Sequence, residues 1–171
     1  VKITGGNSIF EIAAKSAENY PALPLLSGDK NYKIKKADLK RLISKTVFAT
    51  GQNASNIILS GVYFCSENGK LKMVGCDGAR LAYAELDTDV SPEASVVIPA
   101  KILTEILRML DDSEDEINIS IARKHVIFTI DGFVYFSRVI DGEYVNYKRI
   151  IPSAFERTAF VSRDDFLSAI V

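Results

Sequence analysis

Hydrophobic and polar positions along this chain recur with two periods, which predict two helices and several strands. From Lys36 onward the spacing is that of an amphipathic helix, with a largely apolar stripe formed by Leu39, Leu42, Ile43, Thr46 and Val47. A second stripe follows Pro99, a residue suited to the first turn of a helix, and consists of Ile102, Leu103, Ile106, Leu107 and Leu110.

Three strand-like runs follow each predicted helix, at 60–66, 71–76 and 80–86 after the first and at 117–121, 126–130 and 133–139 after the second. A further apolar run, 96–98, lies just before the second helix. Dipeptides typical of tight type I′ hairpin turns separate several of the runs: Asn68-Gly69, Asp77-Gly78 and Asp131-Gly132.

A helix followed by three strands therefore occurs twice. A displacement of 64 residues places Leu39 on Leu103 and Ile43 on Leu107, and a displacement of 127 places Asp38 on Asp165 near the end of the chain. Such self-similarity is typical of modular arrays, although helix and strand patterns also recur by chance in α+β proteins. We expect an α+β fold of duplicated helix-plus-antiparallel-sheet units, with the helices on one face of the sheets.

The repeat also predicts domain boundaries. Residues 1–4 and 8–12 predict a strand–turn–strand unit, so that 1–27 resemble the C-terminal end of one two-unit domain. Residues 28–155 form a complete second domain, and 156–171 begin a third. Because the sequence starts at Val1 and stops inside an amphipathic pattern at Val171, we expect a fragment of a longer protein.

Composition excludes several classes of protein. The 171 residues are 47% hydrophobic and 25% charged, with ten Gly and five Pro, unlike disordered, collagen-like or disulfide-scaffold chains. Cys65 and Cys76 fall in predicted strands and are expected to be reduced thiols of a cytoplasmic protein. The longest uncharged stretch, 46–66, is interrupted by polar residues and glycines and does not predict a membrane span.

The net charge of −1 hides a local asymmetry. Residues 29–45 carry seven Lys or Arg against two Asp, whereas 111–116 carry five acidic residues in six positions. A basic helix face suits contact with phosphates without base recognition, but a solvated surface is the more common explanation. Acidic oxygens also suit a divalent cation, yet this run lacks the spacing of a calcium loop, which favours a solvated loop.

No recognisable catalytic arrangement is visible in the sequence. The only histidine, His125, lies on a predicted strand, and no Ser or Cys has a base partner at a recognisable spacing. Gly5-Gly6 lacks the spacing and the following helix of a phosphate-binding loop. We therefore expect a protein that is not an enzyme and that holds no metal or cofactor.

Three segments resemble the bacterial DNA polymerase III beta subunit family, the replicative sliding clamps: 59–64 (LSGVYF), 70–82 (KLKMVGCDGARLA) and 141–152 (DGEYVNYKRIIP). The second is similar to the family's strand followed by Asp-Gly-His-Arg-Leu-Ala, and the third to its Gly-x-Phe-Pro-Asp-Tyr-x-Arg-x-Ile-Pro segment. Cys76, Ala79 and Val145 stand where the family commonly has Thr, His and Pro. The resemblance runs in order over essentially the whole chain.

The resemblance implies a DNA-clamp fold and a non-catalytic sliding clamp. Two head-to-tail chains of three similar domains would form a homodimeric ring around double-stranded DNA, with helices lining the hole. The implied partners are the replicative polymerase catalytic subunit, the clamp loader and other proteins with clamp-binding motifs. The alternative is a protein-interaction module on the same repeated scaffold, with no role on DNA.

The resemblance also implies two sets of site residues. Those facing DNA would be Lys36, Lys40, Lys101, Arg108, Asn53, Ile57 and Ile58. Client peptides would dock in a hydrophobic pocket between the middle and third domains, whose middle-domain wall would be Leu59, Cys76, Gly78, Arg80, Leu81, Val145, Arg149 and Ile150. Apolar walls with two guanidinium groups suit a peptide that offers Leu or Phe anchors and a polar or acidic neighbour.

Overall fold

The computed structural model describes residues 1–16, 18, 30–51, 56–88 and 92–170. Its elements, in chain order, are the strands β1 (Lys2–Gly5), β2 (Ser8–Glu11) and β3 (Lys30–Lys35), helix α1 (Lys36–Ser44), the 3-10 turns Val47–Ala49 and Ile57–Ser60, strands β4 (Gly61–Glu67), β5 (Lys70–Cys76), β6 (Leu81–Asp87) and β7 (Ala94–Pro99), helix α2 (Ala100–Met109), strands β8 (Glu116–Ala122), β9 (His125–Ile130) and β10 (Phe133–Arg138), and helices α3 (Tyr147–Ile150) and α4 (Arg163–Ile170). None of the described helices is long and apolar enough to cross a membrane.

Both main helices and all the predicted strands are present, and their bounds differ by at most two residues from those predicted, except that α1 ends at Ser44, three residues before the predicted stripe ends at Val47. Strand β3 was not predicted, because its lysines suggested a basic surface run. Tyr32 and Ile34 are nevertheless buried between the outward Asn31, Lys33 and Lys35, and this alternation is the period of a half-buried strand.

The turns Asn68-Gly69 and Asp131-Gly132 have the predicted backbone. Their central residues all have positive φ, at 53° and 70° in the first turn and 49° and 79° in the second. Positive φ at both central positions is the mark of a type I′ turn, whose twist matches that of the two flanking strands. The hairpins β4–β5 and β9–β10 are therefore specified locally.

Each four-stranded sheet combines three consecutive strands with one strand from the other repeat. The orders are β6-β5-β4-β7 and β10-β9-β8-β3, and all pairings are antiparallel. Strand β3 precedes α1 but joins the sheet that follows α2, whereas β7 precedes α2 but joins the sheet that follows α1. The two repeats are thus interlocked by an exchange of their first strands.

The main hydrophobic core lies between the helices and the inner faces of both sheets. Five residues of the predicted stripes are almost completely buried in it: Leu39, Leu42, Ile43, Leu103 and Ile106. Burying each such side chain contributes about 1.5–3 kcal/mol relative to leaving it in water. The predicted α+β architecture, with helices on one face of the sheets, is confirmed.

Candidate functional site

Lys36, the first residue of α1, is buried rather than exposed. The residue is only 3% exposed, and its ammonium group lies 2.9 Å from the carboxylate of Asp131 in the β9–β10 turn. Asp111 and Asp115 follow at 3.5 and 3.9 Å. The hydrogen bond to Asp131, together with the charge of Asp111, raises the pKa of Lys36. The prediction that Lys36 lies on the DNA-facing surface is wrong, because carboxylates distant in sequence enclose its side chain.

The acidic run 111–116 caps the first helix. The backbone N–H groups of Lys36 and Ala37 donate to the carbonyl oxygens of Asp115 and Ser113, at 2.9 and 3.2 Å. These bonds satisfy two of the donors that the first turn of a helix leaves unpaired. Two further ion pairs join the run to the basic segment: Lys35 with Glu114 and Lys40 with Asp112. The acidic run therefore neutralises Lys35, Lys36 and Lys40, which are three of the seven cations in residues 29–45.

The other helix cations are more accessible. Lys101, near the start of α2, is exposed and has no ion-pair partner among the residues that the structure describes. Arg108 is bound to Glu105 of its own helix at 2.9 Å, but its side chain remains largely in solvent. Lys40 is two-thirds buried against Asp112. Lys101 and Arg108 are thus the most accessible of the four helix cations that were predicted to face DNA.

The three loop residues predicted to face DNA differ in how the structure places them. Asn53 lies outside the described residues, and Ile57 is 68% exposed. Ile58 is only 4% exposed and belongs to a hydrophobic cluster. The prediction that Ile58 faces DNA is wrong, since the 3-10 turn directs it into the protein. The side-chain oxygen of Asn56 accepts the backbone N–H of Ile58 at 3.1 Å and fixes the start of that turn.

A second hydrophobic cluster brings four of the predicted pocket residues together. We call it the outer cluster, because its members on β4, β5 and β7 alternate with residues of the main core and so face away from the helices. Its buried members are Ile58, Val74, Cys76, Val97, Tyr144 and Tyr147, and those partly buried are Leu59, Tyr63, Leu81, Ile140 and Val145. Leu59, Cys76, Leu81 and Val145 come from three separate motifs. Of the other pocket residues, Gly78, Arg80, Arg149 and Ile150 are exposed.

Asp77 fixes the position of Arg80 in the turn between β5 and β6. The carboxylate of Asp77 accepts the backbone N–H groups of Ala79 and Arg80 and the Nε–H of Arg80, each at 2.9 Å. These bonds, the backbone ones foremost, lower the pKa of Asp77. Gly78 has a φ of 95°, whereas Asp77 does not have positive φ. The predicted type I′ turn centred on Asp77-Gly78 is therefore wrong, since the turn is centred one residue later.

Tyrosines anchor the segment 139–150 to the outer face of the sheet. The hydroxyl of Tyr144 donates to the carbonyl oxygen of Val74 at 3.1 Å, and its ring stacks on Tyr63 with centroids 5.1 Å apart. The ring of Tyr147 lies between Tyr63 and Tyr83, at 6.1 and 5.8 Å. Burial raises the pKa of Tyr144 well above its usual value. Sequence reasoning missed this role, although both tyrosines stand in the third motif.

Comparison with known proteins identifies similar chains. The family model described as DNA polymerase III beta subunit, central domain, matches residues 33–146. A beta sliding clamp from Treponema pallidum is 32% identical over 163 residues, which are 94% of this chain and 44% of the relative. A beta sliding clamp from Staphylococcus epidermidis is 31% identical over 169 residues, or 98% of this chain and 45% of the relative. The chain thus spans less than half the length of these relatives.

Solved structures show the same fold. A DNA polymerase sliding clamp from Bacillus subtilis aligns with a TM-score of 0.82 and 33% identity, covering 90% of this chain and 41% of that one. A sliding clamp from Pseudomonas aeruginosa bound to griselimycin aligns with a TM-score of 0.80 and 29% identity, covering 91% and 42%. The predicted DNA-clamp fold is therefore confirmed.

Proposed function

This chain belongs to the DNA polymerase III beta subunit family, and we propose that it is the central part of a bacterial sliding clamp, the processivity factor of the replicative polymerase. The observation that carries the proposal is the match of the family's central-domain model to residues 33–146. That range contains nearly all of both hydrophobic clusters, which extend from Tyr32 to Tyr147.

We propose that residues 28–155 are the complete middle domain, 1–27 the end of the preceding domain and 156–171 the start of the next. Among the described residues, every buried one lies between positions 32 and 147, and those of 1–16 and 151–170 are all exposed. Helix α4 supports the start of the third domain, because it begins 127 residues after α1 in a similar sequence.

In the full-length protein, two such chains would close head to tail into a ring around double-stranded DNA. Lys101 and Arg108 would contact phosphates, with Lys40 contributing less because Asp112 shares its charge. Such contacts hold DNA without reading its sequence and allow sliding. The role would be topological and accessory to the polymerase rather than catalytic.

The outer cluster would form the middle-domain wall of a client-peptide pocket. Leu59, Leu81 and Val145 offer partly buried apolar surface to a Leu or Phe anchor. Arg80 and Arg149 are exposed beside this surface, where they suit a polar or acidic neighbour in the peptide. The clients would include the polymerase catalytic subunit and the clamp loader.

Topological trapping tests the ring. Full-length protein loaded onto nicked circular DNA should co-elute with the DNA through gel filtration and should be lost after a restriction enzyme linearises it. Protein mixed with linear DNA from the start is the matched control and should not be retained. Equal retention on circular and linear DNA would contradict the proposal.

One observation favours a second candidate, a protein-interaction module without a DNA role. The acidic run neutralises the start of α1, so the basic face is smaller than the sequence indicates. Charge reversal of Lys101 and Arg108 to Glu separates the two functions. A clamp should lose retention on circular DNA, whereas an interaction module should keep its partner binding and show no DNA retention before or after the change.

A further inference from the structure

The α3 side of the proposed pocket has little secondary structure of its own. Helix α3 spans only Tyr147–Ile150, and a helix of one turn is not stable in isolation. Its local backbone bonds run from Arg149 N–H to Asn146 and from Ile151 N–H to Tyr147, both at 3.1 Å. The position of α3 must therefore depend on side-chain contacts with the sheet.

A crevice of about 520 Å³ undercuts the segment that leads into α3. Its lining includes Tyr63 and Glu67 of β4 and Asp141 and Glu143 of the segment. Part of the segment therefore borders a cavity and is not packed along its whole length. The tyrosine anchors and the polar contacts of α3 therefore carry the positioning.

Glu67 makes the polar contact between α3 and the sheet. Its Oε1 accepts hydrogen bonds from Lys148 on α3 at 3.1 Å and from Lys72 on β5 at 2.7 Å. The side chain of Lys72 is only 11% exposed, so one end of the bridge is fixed inside the sheet. Glu67 is the last residue of β4, and its backbone pairs with that of Lys70 on β5, next to the Asn68-Gly69 turn. The bridge thus ties a one-turn helix to a rigid hairpin.

We propose that Glu67 is a positioning residue of the peptide pocket, which holds α3 through Lys148 so that Arg149 and Ile150 stand ready for the peptide. Arg149 and Ile150 directly follow Lys148 in the chain, so its anchoring limits where they can lie. Glu67 lies outside the three motifs that resemble the clamp family. The inference rests on the proposed function, because it needs a peptide in that pocket.

The expected effect is loss of preorganisation rather than loss of a peptide contact. Without the bridge, α3 samples other positions, and the apparent dissociation constant rises as the competent fraction falls. Lys148 is 66% exposed in the bridge, so we expect a modest effect of about two- to fivefold, as for other solvent-exposed ion pairs. The association rate should fall by this factor, while the dissociation rate stays the same.

The test uses the full-length protein and a fluorescein-labelled peptide carrying the clamp-binding segment of the polymerase catalytic subunit, followed by stopped-flow anisotropy. Lys148→Met and Glu67→Gln should each slow association, and the double variant should be no slower, because both changes remove one bridge. Lys148→Arg keeps the cation and should restore the wild-type rate. Lys148→Met leaves the contact between Glu67 and Lys72 intact, so it remains informative if Glu67→Gln folds poorly.

Two results would overturn the positioning role. One is wild-type association by Lys148→Met. The other is slow association by Lys148→Met together with wild-type association by a folded Glu67→Gln, since Lys148 would then contact the peptide itself. Arg149→Ala separates this inference from the proposed function. If the wild-type protein does not bind the peptide, or if Arg149→Ala binds it normally, the pocket itself is wrong.

Discussion

The carbonyl oxygen of Thr46, just beyond α1, occupies the space that a side chain on Gly75 of β5 would need. A Cβ atom on Gly75 would lie 2.1 Å from that oxygen. The end of the helix is fixed there, because the buried Thr46 hydroxyl donates to the carbonyl of Leu42 at 2.7 Å. Helix α1 therefore docks on the sheet through a backbone contact that only glycine permits.

Gly75→Ala should destabilise the fold, since the helix end or the strand must move to admit the methyl group. We expect the free energy of unfolding to fall by about 1–3 kcal/mol, measured by urea denaturation followed by circular dichroism. Gly5→Ala is the control, because no atom lies within 4 Å of a Cβ at Gly5. Equal stability of the two variants would show that the contact relaxes without cost.

Removal of the Lys36 charge should change the stability of the fold, whereas removal of the Lys101 charge should change DNA binding. Lys36→Met leaves the carboxylates around it without their cation and should lower the midpoint of thermal unfolding, but should not alter DNA binding by the full-length protein. Lys101→Met should leave the midpoint unchanged and reduce the slope of log affinity against log salt by about one. A similar loss of salt dependence in both variants would contradict the shielding of Lys36.

Removal of pocket side chains should weaken peptide binding by the full-length protein. Arg149→Ala and Leu81→Ala should each lower affinity by about tenfold or more, because anchor contacts dominate small interfaces. Fluorescence anisotropy titration measures the effect. Arg138→Ala is the matched control, since Arg138 is exposed on β10 and is not a member of the outer cluster. Unchanged affinity in the two pocket variants would remove these residues from the site.

The fold should lose stability above a pH of about 10. Tyr32 is buried, its hydroxyl donates to Pro92 at 2.6 Å, and burial raises its pKa to about 12. Between the unfolded and folded pKa values, the folded state binds more protons than the unfolded state, so the free energy of unfolding decreases as pH rises. Tyr32→Phe should show a shallower decrease over this range in urea titrations at stepped pH. If the free energy of unfolding falls equally steeply with pH in the wild-type protein and in Tyr32→Phe, the prediction is wrong.

The pattern of residues was sufficient to predict the elements and to select several residues that lie together in the structure. Leu39 and Leu103 are buried in the core as predicted, because helical periodicity shows which side of a helix is apolar. The motifs were sufficient to select Leu59, Leu81 and Val145, which the structure brings together in the outer cluster. The helical stripes could be predicted because they depend on residues close in sequence, and the cluster residues could be selected because they belong to whole motifs.

Lys36 and Ile58 were misplaced because their surroundings come from elsewhere in the chain. Nothing near Lys36 in sequence indicates that Asp131 will enclose it, and nothing near Ile58 indicates a cluster with Tyr144. Glu67 was missed for the same reason, since its partner Lys148 lies on a distant segment. Long-range contacts of single residues leave no periodic signal.

Local patterns in the amino-acid sequence are enough to predict the two helices, their strands, the tight turns at Asn68-Gly69 and Asp131-Gly132, and the duplicated order of these elements. Periodicity and turn geometry depend on residues that are close in the sequence, so they can be recognised in one sequence alone. The exchange of β3 and β7 between the sheets, and the neutralisation of Lys36 and Lys40 by the acidic run, become visible only in the folded structure. A strand's backbone groups accept any partner of suitable register, and ion pairs form wherever folding brings charges together, so both depend on the whole fold.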